Sequence, residues 1–219
     1  MSTDYTSTEG RVVIAPRLTV PLSIGDLDNA AWLQAPSINI MHYWSGDVAP
    51  PERHAEARIC WDGEALNVRF VCRQHEPLII SSSPITHKKT LGLWDRDVCE
   101  AFIAPDPMKA QRYFEFEAAP TGEWVDLGIL ITTSGRETDW DFHSGMSAAA
   151  SVQSQRVIVG ISIPWSESIP KPQPGEEWRV NLFRCVGPEV QERYLAWQPT
   201  KTLQPNFHVP EAFGWLRFT

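Results

Sequence analysis

From residue 57 to residue 72 the chain alternates apolar and other positions, breaks at Asp62-Gly63-Glu64-Ala65, and resumes with Leu66, Val68, Phe70 and Cys72 on one side. A period of two marks a strand with one buried face, and Asp-Gly between two such runs is hairpin chemistry. Further period-two stretches run over 98–103, 113–118, 124–131, 157–163, 178–184, 194–197 and 214–218, with weaker ones near 11–14 and 37–43. They amount to about ten strands, enough for two packed sheets. No segment sustains a helical period, and the prolines, such as Pro84, Pro105, Pro107, Pro170, Pro172 and Pro174, fall between the runs, where a missing N–H costs least. The expected fold is therefore all-β: an antiparallel β-sandwich of two packed sheets with little helix.

A chain of 219 residues, 42% hydrophobic, can bury one sizeable core. We expect a single domain over 20–219, preceded by an N-terminal extension and first strand over 1–19. The formal net charge of −8, with basic residues scattered, provides no cationic stripe for phosphates, which argues against nucleic acid and anionic membranes as partners. A neutral or weakly polar ligand fits better. The polar opening, Met1 to Gly10, lacks the basic start and apolar run of a signal peptide, and no apolar run is long enough to cross a bilayer. As written, the sequence suits a cytoplasmic protein or a processed secreted one. Cys60, Cys72, Cys99 and Cys185 have no CxxC spacing and lie in apolar surroundings, which favours buried free thiols over a zinc site or nucleophile. Cys60 and Cys72 flank the hairpin, where they can face each other. The Ser81-Ser82-Ser83-Pro84 loop and the first ten residues are the expected flexible pieces.

Ten Trp exceed what one core needs, and indole N–H groups seek partners, so some should stand at half-exposed positions. Trp61, Trp165, Trp178, Trp197 and Trp215 sit in or at the ends of strands and read as core. Trp94 differs, because the polar run Asp95-Arg96-Asp97 beside it places it near a strand entrance. Six residues on, Glu100 shares a strand face with Val98 and Phe102, so a carboxylate is carried on a half-buried sheet, where it needs donors, a ligand, or an ion pair with Arg184 or Arg96. An aromatic ring that covers the C–H face of a pyranose, beside an acid that accepts hydrogen bonds from its hydroxyls, is a means of gripping a sugar. Glu115 and Glu117 share a face with Tyr113, opposite Phe114 and Phe116. They read as a solvated sheet face, or, should Glu117 lie beside Glu100, as a glycosidase-like pair of acids. Phe207 and His208 follow Pro205 in a turn-rich loop that either contacts ligand or closes over the core.

Several phrases, in order, resemble carbohydrate-binding module family 9. They are the acidic residues before a Trp in Asp26 to Trp32, the hairpin Trp61-Asp62-Gly63-Glu64-Ala65-Leu66-Asn67-Val68, and the strand from Leu93 to Ile103. Tyr113-Phe114-Glu115-Phe116-Glu117, Ile163-Pro164-Trp165, Trp178 with Asn181 and Arg184, and the closing run from Trp197-Gln198-Pro199 to Phe207-His208-Val209-Pro210-Glu211-Ala212-Phe213-Gly214 continue the likeness. The resemblance implies a non-catalytic β-sandwich that binds a mono- or oligosaccharide in a slot between two aromatic side chains. Trp94 falls on the first aromatic position and Glu100 on the acidic one. Phe207 falls near the second wall, with Arg96, Asn206 or Glu117 reading hydroxyls. Two departures stand out: the second wall is often Trp, and some members carry a basic residue where Glu117 stands. The family often holds structural calcium, for which Asp26, Asp28, Asp47 and Glu52 are oxygen donors on turn-like segments; no other cofactor is implied. Three readings compete with sugar binding: a glycoside-processing enzyme using Glu100 and Glu117, a haem-binding sandwich using Met41-His42, Met108 or Met146, and a plain structural or partner-binding domain.

Overall fold

The structure is a computed structural model and describes residues 11–219. It contains two sheets built from 14 strands, with helix confined to short 3-10 turns. The larger, nine-stranded sheet has the main order β1 (Val12–Ala15), β14 (Gly214–Phe218), β12 (Glu177–Cys185), β6 (Val98–Ala104), β7 (Arg112–Ala118), β8 (Trp124–Thr132) and β9 (Gly135–Asp139). Off this path, β13 (Tyr194–Ala196) pairs with β12 and with β3 (His42–Tyr43). The five-stranded sheet runs β10 (Ser147–Gln153), β11 (Arg156–Pro164), β5 (Ala65–Arg73), β4 (Ala55–Trp61) and β2 (Ile38–Ile40). All pairings are antiparallel except β1 with β14. The segment before residue 20 supplies β1, which pairs with β14 in the larger sheet, while residues 1–10 lie outside the described residues. Among the described residues no helix is long and apolar enough to cross a membrane.

The sandwich core follows from the period of two. Phe70, Val68, Ile59, Val159 and Ile161 from the smaller sheet meet Ala101, Ile103, Phe116, Leu182 and Leu216 from the larger, all fully buried. At one end Trp61, Trp178 and Phe218 meet edge to face, with ring centroids 5.9 Å apart for Trp61 and Phe218 and 4.7 Å for Trp178 and Phe218. Trp165, Trp197 and Trp215, expected in the core, are only half-buried. Trp215 lies beneath the Arg179 guanidinium at 4.8 Å, a cation–π contact that suits a ring with one wet face. Trp197 packs so closely on Gly214 that a Cβ there would come within 2.4 Å of the indole.

Residues from the sequence phrases tie the sandwich together. Asp62, 1% exposed, accepts from the backbone N–H groups of Leu22 (3.1 Å), Glu64 (2.8 Å) and Ala65 (3.0 Å) and from Asn67 Nδ2 (2.9 Å), closing the β4–β5 hairpin and fastening the incoming chain to it. Asn181 exchanges two hydrogen bonds with the backbone of Gln198. Arg184 bridges the sheets, donating to the carbonyls of Arg53 and His54 and to Gln74 Oε1 at 2.7 Å.

All four cysteines are free and buried. The pair that meets is Cys72 with Cys99, Sγ to Sγ 3.4 Å, and not Cys60 with Cys72. Cys72 on β5 points across the sandwich to β6. In the hairpin register Cys72 stands opposite Ala55, and Cys60 opposite Asn67.

Replacing Asp62 with Ala leaves four donors, three of them buried, without their acceptor, so Asp62→Ala should lower stability by about 3 kcal/mol. Chemical denaturation of the two proteins, compared at equal slope, measures the difference.

Candidate functional site

Strands β6, β7, β8 and β12 carry apolar residues on both faces. Cys99, Ala101 and Ile103 face the sandwich, while Val98, Phe102 and Ala104 face outward and are equally buried, as are Tyr113, Val125, Leu127, Ile129 and Phe183. Loops bearing Trp44, Leu93, Phe207 and Phe213 cover this second face. The cover is incomplete and leaves a cavity of about 280 Å³, near the small end of ligand sites, which run from about 300 to 1,000 Å³.

Three carboxylates lie on this outer face. Glu100 stands directly opposite Glu117 across the β6–β7 ladder, and Glu115 opposite Phe102. One oxygen from each of the three lies within 4.8 Å of the other two. The exposures are 2% for Glu100, 4% for Glu115 and none for Glu117, so the solvated face expected for Glu115 and Glu117 is a buried one. The side-chain alternation was read correctly; a strand alone does not reveal that loops fold over its polar side. Neither ion pair considered for Glu100 forms. Arg184 is committed to the opposite side, Arg96 pairs with Glu123 at 3.4 Å, and Glu100 Oε1 instead accepts from the Cys185 thiol at 3.2 Å.

Desolvation, reinforced by the Glu115 charge, lifts the Glu100 carboxyl to about 8. Burial raises Glu115 as well, opposed by a Glu117 hydrogen bond and by Arg136, and it raises Glu117 furthest, with the charges of Glu100 and Glu115 adding to the effect. Burial and Arg136 depress His208 to about 3, so its ring is neutral. Tyr113 Oη and His208 Nδ1 share a hydrogen bond of 2.7 Å, and the 3.9 Å approach of His208 Nε2 to Glu115 is not an ion pair.

Of the residues singled out in the sequence, Trp94, Glu100, Asn206 and Phe207 line the cavity. Arg96 and Glu117 do not: Arg96 is turned toward Glu123, and Glu117 sits behind Glu100. Trp94 is half-buried in the turn Leu93–Asp95, where the Arg193 guanidinium holds the carbonyls of Trp94 and Asp95 and that of Arg96 just after the turn. Phe207 is 8% exposed and spends one face on Phe183, stacked at 3.9 Å and 17°, with Tyr194 against it edge-on. Asn206 is exposed, and its Oδ1 accepts from the His208 N–H, which leaves the amide NH₂ as a donor.

The ring that meets Trp94 is Trp140, 46% exposed, with centroids 6.2 Å apart and planes at 43°. Sequence reading missed it, together with Arg136 and Thr138 on β9 and with Tyr194. The loop that carries Trp140 is moored by Lys89, which donates to the carbonyls of Trp140 and Phe142 and pairs with Asp126 at 2.9 Å. A run of polar residues such as Gly135–Asp139 lacks an apolar alternation, so only the unassigned exposed Trp was available as a signal.

The acidic residues considered for calcium do not converge. Among the described residues Glu100, Glu115 and Glu117 form the group of three oxygen donors, whereas Asp26 accepts from Asn29, Asp28 faces Arg69 at 3.6 Å and Asp47 accepts from Ser45. The candidate haem ligands are dispersed as well: Met108 is 88% exposed and Met146 is packed in the sandwich core. A second depression, of about 410 Å³, lies beside β8 and β9 around Phe114 and Phe142; it lacks both an exposed Trp and a buried carboxylate.

The outer face of the larger sheet thus bears a loop-roofed cavity with a Trp pair at its mouth. The chain belongs to the carbohydrate family 9 binding domain-like family, whose model matches residues 25–219. A candidate carbohydrate-binding protein of Bacteroides uniformis shares the fold with a TM-score of 0.74 at 16% identity, over 95% of this chain and 99% of that one. A family 9 carbohydrate-binding module of Caldicellulosiruptor kristjanssonii, solved with glucose, gives 0.65 at 15% identity over 95% of each chain. The same source's module with cellotriose gives 0.62 at 15% identity over 95% and 93%. An extracellular protein of Arthroderma benhamiae is 24% identical over 178 residues, 74% of this chain and 77% of that protein.

The carboxyl cluster makes stability depend on pH. A carboxyl lifted from 4.5 to about 8 keeps its proton in the folded chain and loses it in the unfolded one, so its contribution is full below the unfolded value and is lost as pH rises through 8. The melting temperature should fall by several °C between about pH 5 and pH 8.5, and Glu117→Gln should flatten that slope; thermal melts across the range measure both.

Proposed function

We propose that this protein binds carbohydrate without transforming it, holding a sugar ring in the cavity on the outer face of the larger sheet. The observation that carries this reading is the half-exposed Trp94–Trp140 pair at a cavity floored by Glu100 and Glu115. Trp94 covers a pyranose C–H face, with Trp140 beside it. Phe207 supplies a short apolar wall, since its other face belongs to Phe183. The Asn206 amide and the carboxyls of Glu100 and Glu115 read hydroxyls. The related modules solved with glucose and cellotriose support a neutral sugar of this size as ligand class. Stacking contributes about 1 kcal/mol per ring beyond burial, so affinities in the micromolar to millimolar range are expected.

A catalytic reading places Glu100 and Glu117 as acid and base, and a separation under 5 Å is close to that of a retaining glycosidase pair, about 5 Å. The surroundings weigh against it. Glu117 is fully buried, lies outside the cavity lining and is raised together with Glu100, whereas such a pair needs two accessible carboxyls whose environments push them apart. A nucleic acid or anionic membrane partner fits poorly with a net charge of −8.

Titration with glucose and cello-oligosaccharides should perturb the intrinsic Trp fluorescence of the wild type. Trp94→Ala should weaken binding at least about tenfold while leaving the far-UV circular dichroism unchanged. Equal affinity in the variant would remove Trp94 from the site, and a lost fold would make it a structural residue.

A further inference from the structure

The four cysteines are distributed over three layers of the molecule. Cys60 packs with Leu18, Leu22 and Trp32 on the outside of the smaller sheet, and Cys185 lies on the roofed side of the larger one. Cys72 and Cys99 both point into the core between the sheets, where their sulfurs stand 3.4 Å apart, one on β5 and the other on β6. Each has a small neighbour across its ladder, Ala55 opposite Cys72 and Ala118 opposite Cys99. A void of about 10 Å³, lined by both thiols and by Asp97 and Arg184, adjoins them. The sulfurs have about 1.4 Å to close to reach bonding distance, and the void gives the side chains room to turn.

We propose that Cys72 and Cys99 are an oxidation site, a dithiol that closes into a disulfide between the two sheets and clamps both ends of the connection 74–97. That connection runs from the end of β5 to the start of β6, contains no strand, and carries Lys89 and Trp94. The crosslink therefore ties the root of the segment that helps to roof the cavity, whatever the cavity binds. Tying residues that are far apart in the unfolded chain and adjacent in the folded one stabilises the fold by restraining the unfolded state. The oxidant is a small-molecule disulfide of the glutathione type. One of the two cysteines, as thiolate, attacks it; the oxidant's S–S bond breaks, a mixed disulfide forms, and one glutathione thiolate leaves. The second cysteine loses its proton and attacks the sulfur of the first, which forms the Cys72–Cys99 bond and expels the other glutathione. The two protons and two electrons given up by the pair end on the two glutathione thiols. Both sulfurs are buried, so the exchange runs while the chain folds or opens, and the finished bond is sealed from reductant.

Refolding the full chain from denaturant with either oxidised or reduced glutathione, followed by alkylation of free thiols and peptide mass mapping, tests this. The oxidised sample should yield one link, joining the peptides of Cys72 and Cys99, with Cys60 and Cys185 still alkylated. It should also melt several °C above the reduced sample. Cys99→Ala should melt alike after both treatments, and were it not to fold, the wild-type map and melts decide alone. Four alkylated cysteines after oxidative refolding, a glutathione adduct without the link, or a link through Cys60 or Cys185 overturns the assignment. A Cys72–Cys99 link that does not raise the melting temperature overturns the clamp.

Discussion

The molecule is governed by one constraint: its larger sheet is apolar on both faces and must be covered on both. The smaller sheet covers one side, as in any sandwich. On the other side, among the described residues, no third sheet exists, and the burial of Phe102, Tyr113, Leu127 and Phe183 falls to loops. Loops tile a flat surface imperfectly, so a cavity remains where the turn at Leu93–Asp95 and the loop carrying Phe207 do not close. The same roof that opens the cavity strips water from the carboxyls beneath it. Site and perturbed acids thus share a single origin.

Because the roof is made of loops, its precision has to be imposed by tethers. Arg193 fixes the backbone under Trp94 through three carbonyls, and Lys89 does the same for the loop of Trp140. Each charged donor replaces a strand ladder that these segments lack, a stronger bond than a neutral one and a costly one to remove. The rings at the mouth are held by two cations outside the cavity lining, the buried Arg193 and the half-buried Lys89. Many of the phrases that mark the family have comparable duties: Asp62 closes a hairpin, Asn181 pins the segment of Gln198, and Arg184 crosses between sheets. The phrases behind the family likeness thus include much scaffolding, and the fold is shared with solved structures at only 15% or 16% identity.

The sandwich was legible because a period of two in Leu66, Val68 and Phe70, or in Val98, Glu100 and Phe102, leaves few alternatives for a chain without helical repeats. The strands that escaped, β9 and β10, are edges of their sheets, one polar and exposed, the other an Ala-rich run with little strand propensity. Edge strands are specified by the neighbour they pair with more than by their own composition. Trp140, Arg136 and Thr138 went unnoticed for the same reason.

The amino-acid sequence by itself determined the class of fold, the facing of alternate side chains, and the presence of Trp94 and Glu100 on one stretch of chain, since each depends only on local spacing. Tertiary structure decided everything that requires two distant segments to meet. It turned Arg96 toward Glu123, half-spent Phe207 on Phe183, brought Trp140 to Trp94, and enclosed Glu115 and Glu117 with Glu100. Solvent exposure is a property of what covers a residue, and cover comes from elsewhere in the chain.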